Sequence, residues 1–143
     1  MLRLLVSLDF GDCSRVALDS AWDIARRASP AELILLNVSP QMADDAASLA
    51  EIENAVDRLR KMVDEVRATR PAPEGVTVRY TAVSGSPAEQ IVAQADALCV
   101  DAIVVGTHGR RGLDRLVLGS VAEMVVRTAP CSVLTVKTRK NLQ

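Results

Sequence analysis

The chain has 143 residues, 49% of them apolar, which suits one globular domain over residues 1–143 that buries roughly two thirds of its unfolded surface. Its 17 basic residues against 18 acidic ones leave a net charge of −1, and the basic residues are scattered rather than striped, which argues against a nucleic-acid binder. Phe10, Trp22 and Tyr80 are the only aromatics, so bases have no stacking platform, and no apolar run nears the ~20 residues that cross a membrane.

The first strand is expected at "LRLLVSLD" (2–9). Asp9 cuts this run short of a signal segment's apolar stretch, so the protein is expected to stay in the cytoplasm. A helix over about Ser14–Ala28 follows, with Ala17, Ala21, Ile24, Ala25 and Ala28 on one face, Trp22 beside them, and Asp12 or Ser14 as N-cap. "ELILLNV" (32–38) reads as the second strand, and the loop "SPQMADDAAS" with Met42 after it has two readings, a ligand cover or a variable connector. The helix over about Asp45–Ala68 places Leu49, Ile52, Val56, Leu59, Val63 and Val66 at three- and four-residue spacing and ends before "PAPEG".

"VTVRYTAV" (76–83) is the third strand, and "SPAE" (86–89) has the form of a capping box that opens a helix over about Pro87–Cys99. "DAIVVGT" (101–107) is the fourth strand, Ser120–Thr128 the last helix, stopped by Pro130, and "SVLTVK" (132–137) the last strand. Cys13, Cys99 and Cys131 are widely spaced and stand in no CxxC context, so they read as reduced thiols rather than zinc ligands.

Strands joined by helical crossovers define an α/β fold, a parallel sheet with helices on both faces. The first, second and fourth strands are near-continuous in Val, Ile and Leu, as strands covered on both sides must be. Ligands of such sheets bind at the carboxyl ends of strands. Two strand ends carry unusual chemistry, Asp9 after the first and Gly106 after the fourth.

The segment "GTHGRRGLDRLVLGS" (106–120) is too long for an ordinary strand-to-helix turn, which takes about 2 to 6 residues. Gly106 and Gly109 allow positive φ and close approach of a ligand to backbone amides. Ser120 can cap the last helix, whose amino end with its hydroxyl is an anion site. Two sets of amides separated by a long arm suit a polyphosphate. Neither the Walker pattern nor GxGxxG fits this spacing, and "LDFGDCS" is not the SGGxD loop of ATP pyrophosphatases.

The pattern Gly106, two residues, Gly109, nine residues, Gly119-Ser120 resembles the ATP-binding signature of the universal stress protein family at every fixed position. The resemblance extends over nearly the whole chain, through "VSLDFGDCSRVALDSAWDIA", "GSPAEQIVAQA" and "DAIVVGTHGRRGLDRLVLGSVAEMVVRTAPCSVLTVK". It implies a five-stranded sheet in the order 3-2-1-4-5, of the Rossmann-like, adenine nucleotide α-hydrolase-like kind, with ATP as ligand. It places Ser7, Leu8 and Asp9 at the nucleotide, Asp9 near the ribose, the phosphates or their Mg²⁺, and Val38 beside adenine. Gly106 and Gly109 would line the ribose and α-phosphate side, Thr107 and Arg110 would also contact the nucleotide, and Gly119, Ser120 and Val121 would hold the outer phosphates. Ser7 departs from the proline or alanine that many members carry. A homodimer through the strand Ser132–Lys137 is implied as well; Lys137, Arg139 and Lys140 have a second reading as guards of an unpaired edge.

Asp9 reads either as a ligand contact or as a helix-capping acid, and Arg110, Arg111 and Arg115 as a phosphate clamp or as solvated charge. His108, the one histidine, has no second ligand or positioned nucleophile beside it in sequence, so it reads as a loop residue near the phosphates rather than a catalytic group. The expected function is therefore a nucleotide-dependent stress-response regulator with at most slow ATP hydrolysis. The alternatives are a nucleotide-free dimeric interaction scaffold, or a weak ATPase or autophosphorylating enzyme with Ser120 or Thr107 as acceptor.

Overall fold

The computed structural model describes residues 1–40, 45–107 and 118–138. In chain order the elements are β1 (Leu2–Ser7), α1 (Asp12–Arg27), β2 (Ala31–Ser39), α2 (Asp45–Thr69), β3 (Val76–Ser84), α3 (Pro87–Ala97), β4 (Ala102–Gly106), α4 (Ser120–Thr128) and β5 (Ser132–Val136). The strands form one sheet in the order β3-β2-β1-β4-β5, every neighbouring pair parallel.

The apolar runs settle which strands lie inside. β1 is flanked by β2 and β4, with Leu5 level with Ile34 on one side and Ile103 on the other. Side chains alternate across a sheet with a period of two, so each of these strands fills two cores at once. Leu4, Val6, Leu33, Leu35 and Val104 pack with Ala17, Leu18, Ala21 and Trp22 of α1 and Leu59, Val63 and Val66 of α2. Leu5, Ile34, Leu36, Ile103 and Val105 pack on the opposite face with Ile91 and Ala95 of α3 and Ala122 and Val125 of α4. The expected parallel α/β sheet with helices on both faces is the observed one. Among the described residues no helix is long and apolar enough to cross a membrane.

Several element ends differ from expectation. α1 begins at Asp12, with Gly11 rather than Asp12 or Ser14 at the N-cap and no capping bond from a side chain. At α3 Ser86 is the N-cap and Pro87 follows as expected, yet the Ser86 hydroxyl makes no capping bond, so the expected box is not closed. α3 stops at Ala97, and Cys99 beyond it takes a positive φ of 50° that ends the helical path.

Trp22 is completely buried between α1 and α2, and its indole N–H donates to the Arg70 carbonyl at 2.8 Å. The Arg70 guanidinium reaches back to Asp19 at 2.6 Å and Asp23 at 2.7 Å on α1. These ion pairs are partly exposed and contribute little on their own; the apolar burial of the indole carries the contact. Trp22→Ala is expected to lower unfolding free energy by about 3–5 kcal/mol, and Asp23→Ala by under about 1 kcal/mol, in urea denaturation. Equal costs for the two would show that the ion pair, not the buried ring, joins these helices.

Candidate functional site

The sheet order creates the site. β1 and β4 are neighbours, but α1 packs on one face and α4 on the other, so the carboxyl ends of these strands open into a crevice at the topological switch point. A cavity of about 640 Å³ occupies it. Ser7, Leu8 and Asp9 line it from the β1 end, Asn37, Val38 and Ser39 from β2, Val105, Gly106 and Thr107 from β4, and Gly119, Ser120 and Val121 from the start of α4.

Nine of the eleven residues expected to contact a nucleotide thus border one cavity: Ser7, Leu8, Asp9, Val38, Gly106, Thr107, Gly119, Ser120 and Val121. Gly109 and Arg110 lie outside the described residues, as do His108, Arg111, Arg115 and Met42. Among the described lining residues the charged side chains are Asp9 and Glu51, both acidic.

Each wall follows from local structure. Leu8 prolongs the β1–β2 ladder past the strand end, its N–H donating to the Leu36 carbonyl at 2.9 Å. The chain then turns sharply, with Phe10 at a φ of 65°, a conformation few bulky residues adopt, and the Arg58 guanidinium lies 3.8 Å from the centre of its ring. Asp9 fastens this turn to α1. Its Oδ1 accepts the Gly11 N–H at 2.9 Å and the Ser14 hydroxyl at 2.8 Å, while Ser14 Oγ accepts the Asp9 N–H at 2.9 Å. The carboxylate therefore braces the entry to α1 and also borders the cavity.

On the other side, the Thr107 N–H donates to the Val136 carbonyl at 2.9 Å, and the Gly119 N–H donates to the Thr107 carbonyl at 2.6 Å. The second bond clasps the end of the long connection to its start. Gly119, not Ser120, is the N-cap of α4, with extended backbone at φ −61° and ψ 160°; Ser120 is the first helical residue and makes no capping bond. This corrects the expected cap. It leaves the first-turn amides of α4 without an intrahelical acceptor and the Ser120 hydroxyl beside them. Such an arrangement binds anions through backbone N–H groups and the positive end of the helix dipole.

Gly106 also behaves differently from expectation. Its φ lies outside the left-handed region, so conformational freedom is not what requires glycine here. A Cβ at this position would stand 2.5 Å from Cys13 Cβ on α1, closer than real Cβ contacts come. Sequence reading also passed over Asn37, Ser39, Ser14, Cys13, Phe10 and Glu51 as cavity residues. Asn37 carries a readable signal, a polar residue inside the apolar run "ELILLNV".

The profile of the universal stress protein family matches residues 1–137. Universal stress protein YxiE of Bacillus subtilis is 33% identical over 146 residues, which cover 94% of this chain and 98% of that protein. Universal stress protein MJ0531 of Methanocaldococcus jannaschii is 32% identical over 149 residues, 96% of this chain and 83% of that protein. The solved structure of a universal stress protein in complex with cAMP matches with a TM-score of 0.77 at 26% identity, over 96% of this chain and 98% of that one.

Gly106 gives the site its most exacting steric requirement. Gly106→Ala is expected to destabilise the fold by about 1–3 kcal/mol through overpacking against Cys13. In a Cys13→Gly background the same change should cost markedly less, since the opposing Cβ is gone. Urea titrations of the four proteins measure the coupling, and strictly additive costs would show that the contact is not what excludes a side chain.

Proposed function

The chain belongs to the universal stress protein family, and from its cavity we propose that it binds an adenine nucleotide at the carboxyl ends of β1, β2 and β4. The observation that carries this reading is the convergence, in one cavity of about 640 Å³, of the Asp9 turn, the end of β2 at Val38 and the uncapped amino end of α4. That volume lies in the range of small-molecule and cofactor sites. The cAMP held by the solved relative supports an adenine nucleotide as the ligand class.

ATP is the proposed ligand. Adenine lies against Val38, and the ribose and α-phosphate lie along Gly106 and Thr107 with Gly109 and Arg110 of the connecting segment. The outer phosphates meet Gly119, Ser120 and Val121 through the Ser120 and Val121 amides and the Ser120 hydroxyl, the Gly119 N–H being held by the Thr107 carbonyl. A phosphate chain beside Asp9 needs a cation between them, and Mg²⁺ commonly combines one or two carboxylates with phosphate oxygens and water. Among the described residues there is no group of three or more His, Cys, Asp or Glu able to hold a metal, so the proposed Mg²⁺ arrives with the nucleotide.

In this reading the protein is a single-domain cytoplasmic stress regulator that reports nucleotide state rather than turning ATP over rapidly. The Asp9 carboxylate is tied through Oδ1 to the Gly11 N–H and the Ser14 hydroxyl, a bracing role in the turn before α1. The output surface is a homodimer through Ser132–Lys137. β5 is an edge strand with Leu134 40% exposed, and Met124 and Val126 of the adjoining α4 are 46% and 48% exposed.

Calorimetric titration of nucleotide-stripped protein with Mg·ATP tests the reading. Wild type should bind, and Ser120→Ala should bind about tenfold more weakly, the weight of one hydrogen bond to a charged group. Thermal stability should be unchanged, because Ser120 is exposed and caps nothing. A folded wild type that takes up no adenine nucleotide would sink the proposal and favour a nucleotide-free scaffold.

A further inference from the structure

Asn37 is 5% exposed and Ser39 4% exposed, two buried polar side chains at the end of the most enclosed strand. A buried amide is costly unless its bonds are made, so its partners reveal its task. Asn37 Nδ2 donates to the Leu8 carbonyl at 2.7 Å, and Asn37 Oδ1 accepts the Ser39 hydroxyl at 3.2 Å. Leu8 is therefore held twice by β2, at its N–H by the Leu36 carbonyl and at its carbonyl by Asn37.

The peptide plane that begins with the Leu8 carbonyl ends with the Asp9 N–H. That N–H donates to Ser14 Oγ, whose own proton goes to Asp9 Oδ1. Fixing the Leu8 carbonyl thus fixes the plane from which the Asp9 carboxylate is hung, directly before the positive-φ turn at Phe10. Ser39, Asn37, Leu8, Asp9 and Ser14 form one hydrogen-bonded chain along the cavity wall.

We propose that Asn37 is a positioning residue, acting through the Leu8 carbonyl to set the place of the Asp9 carboxylate in the nucleotide cavity. This rests on the nucleotide-binding reading above. Side chains able to donate from the same position keep the function, and those that cannot lose it.

A double-mutant cycle on Mg·ATP affinity, measured by calorimetry on the full chain, tests it. Asn37→Leu should weaken binding about five- to tenfold in the wild-type background. In an Asp9→Asn background, where an oxygen acceptor for Gly11 and Ser14 remains but the charge is gone, the same change should have less than about twofold effect. Asn37→His, whose Nδ1 lies as many bonds from the backbone as the amide nitrogen, should retain most of the affinity. If Asn37→Leu does not fold, Asn37→Ala, which removes the donor without adding charge, takes its place in the cycle. Equal losses in both backgrounds, no loss in the wild-type background, or no effect of Asp9→Asn itself would each overturn the assignment. Failure of the nucleotide reading is distinguishable, because there the folded wild type itself binds no Mg·ATP, and the inference falls with it.

Discussion

Everything at the site follows from one reversal in the sheet. From β1 the chain crosses over α1 to β2 and over α2 to β3, building outward in one direction; from β4 it crosses over α4 to β5 in the other. Right-handed crossovers in opposite directions must lie on opposite faces, which is why α1 and α2 share one core and α3 and α4 the other. Between β1 and β4 the following helices part, and the space above the strand ends stays open. The amino ends of α1 and α4 then border the same crevice. No single residue creates the cavity; the handedness of L-amino acids does, once the strand order is set.

The reversal only opens a space, and the polar groups around it have to be satisfied without closing it. The long connection is clasped at its base by the Gly119 N–H on the Thr107 carbonyl, so its end returns to the strand it left. The β1 exit is held from below by Asn37 and from the side by Ser14, which lets Phe10 keep an unfavourable φ beneath the Arg58 guanidinium. Strain at such a turn persists because several independent bonds over-determine it.

The sheet was legible in the sequence because burial on both faces leaves Val, Ile and Leu little alternative, and all the strands lie within two residues of the apolar runs that announced them. The site was legible as a set of residues but not as a set of reasons. Gly106 was read as backbone freedom and is a steric vacancy for Cys13, a requirement set by a helix almost a hundred residues earlier in the chain. Hydroxyl preferences pointed to Ser14 and Ser120 as caps, yet glycines precede both helices; the Ser14 hydroxyl bonds to Asp9 and the Ser120 hydroxyl caps nothing. Asn37 was visible as a polar break in an apolar run, but its task was not, because its partner Leu8 comes close only after the sheet forms.

The missing cap at α4 has a physical consequence. A Ser, Thr or Asp at position 119 would stabilise the helix by about 1 kcal/mol relative to a non-capping residue, by turning its side-chain oxygen back onto the second or third amide. Those are the same donors an anion would use. Glycine at 119 forgoes that bond and leaves the donors facing a cavity whose described charged side chains, Asp9 and Glu51, are both acidic. Under the proposed function the described walls attract phosphate through oriented amides and a cation carried with the ligand. Amides held in this way read the shape of a phosphate chain as well as its charge, because backbone N–H groups cannot swing to follow a misplaced oxygen as a lysine can.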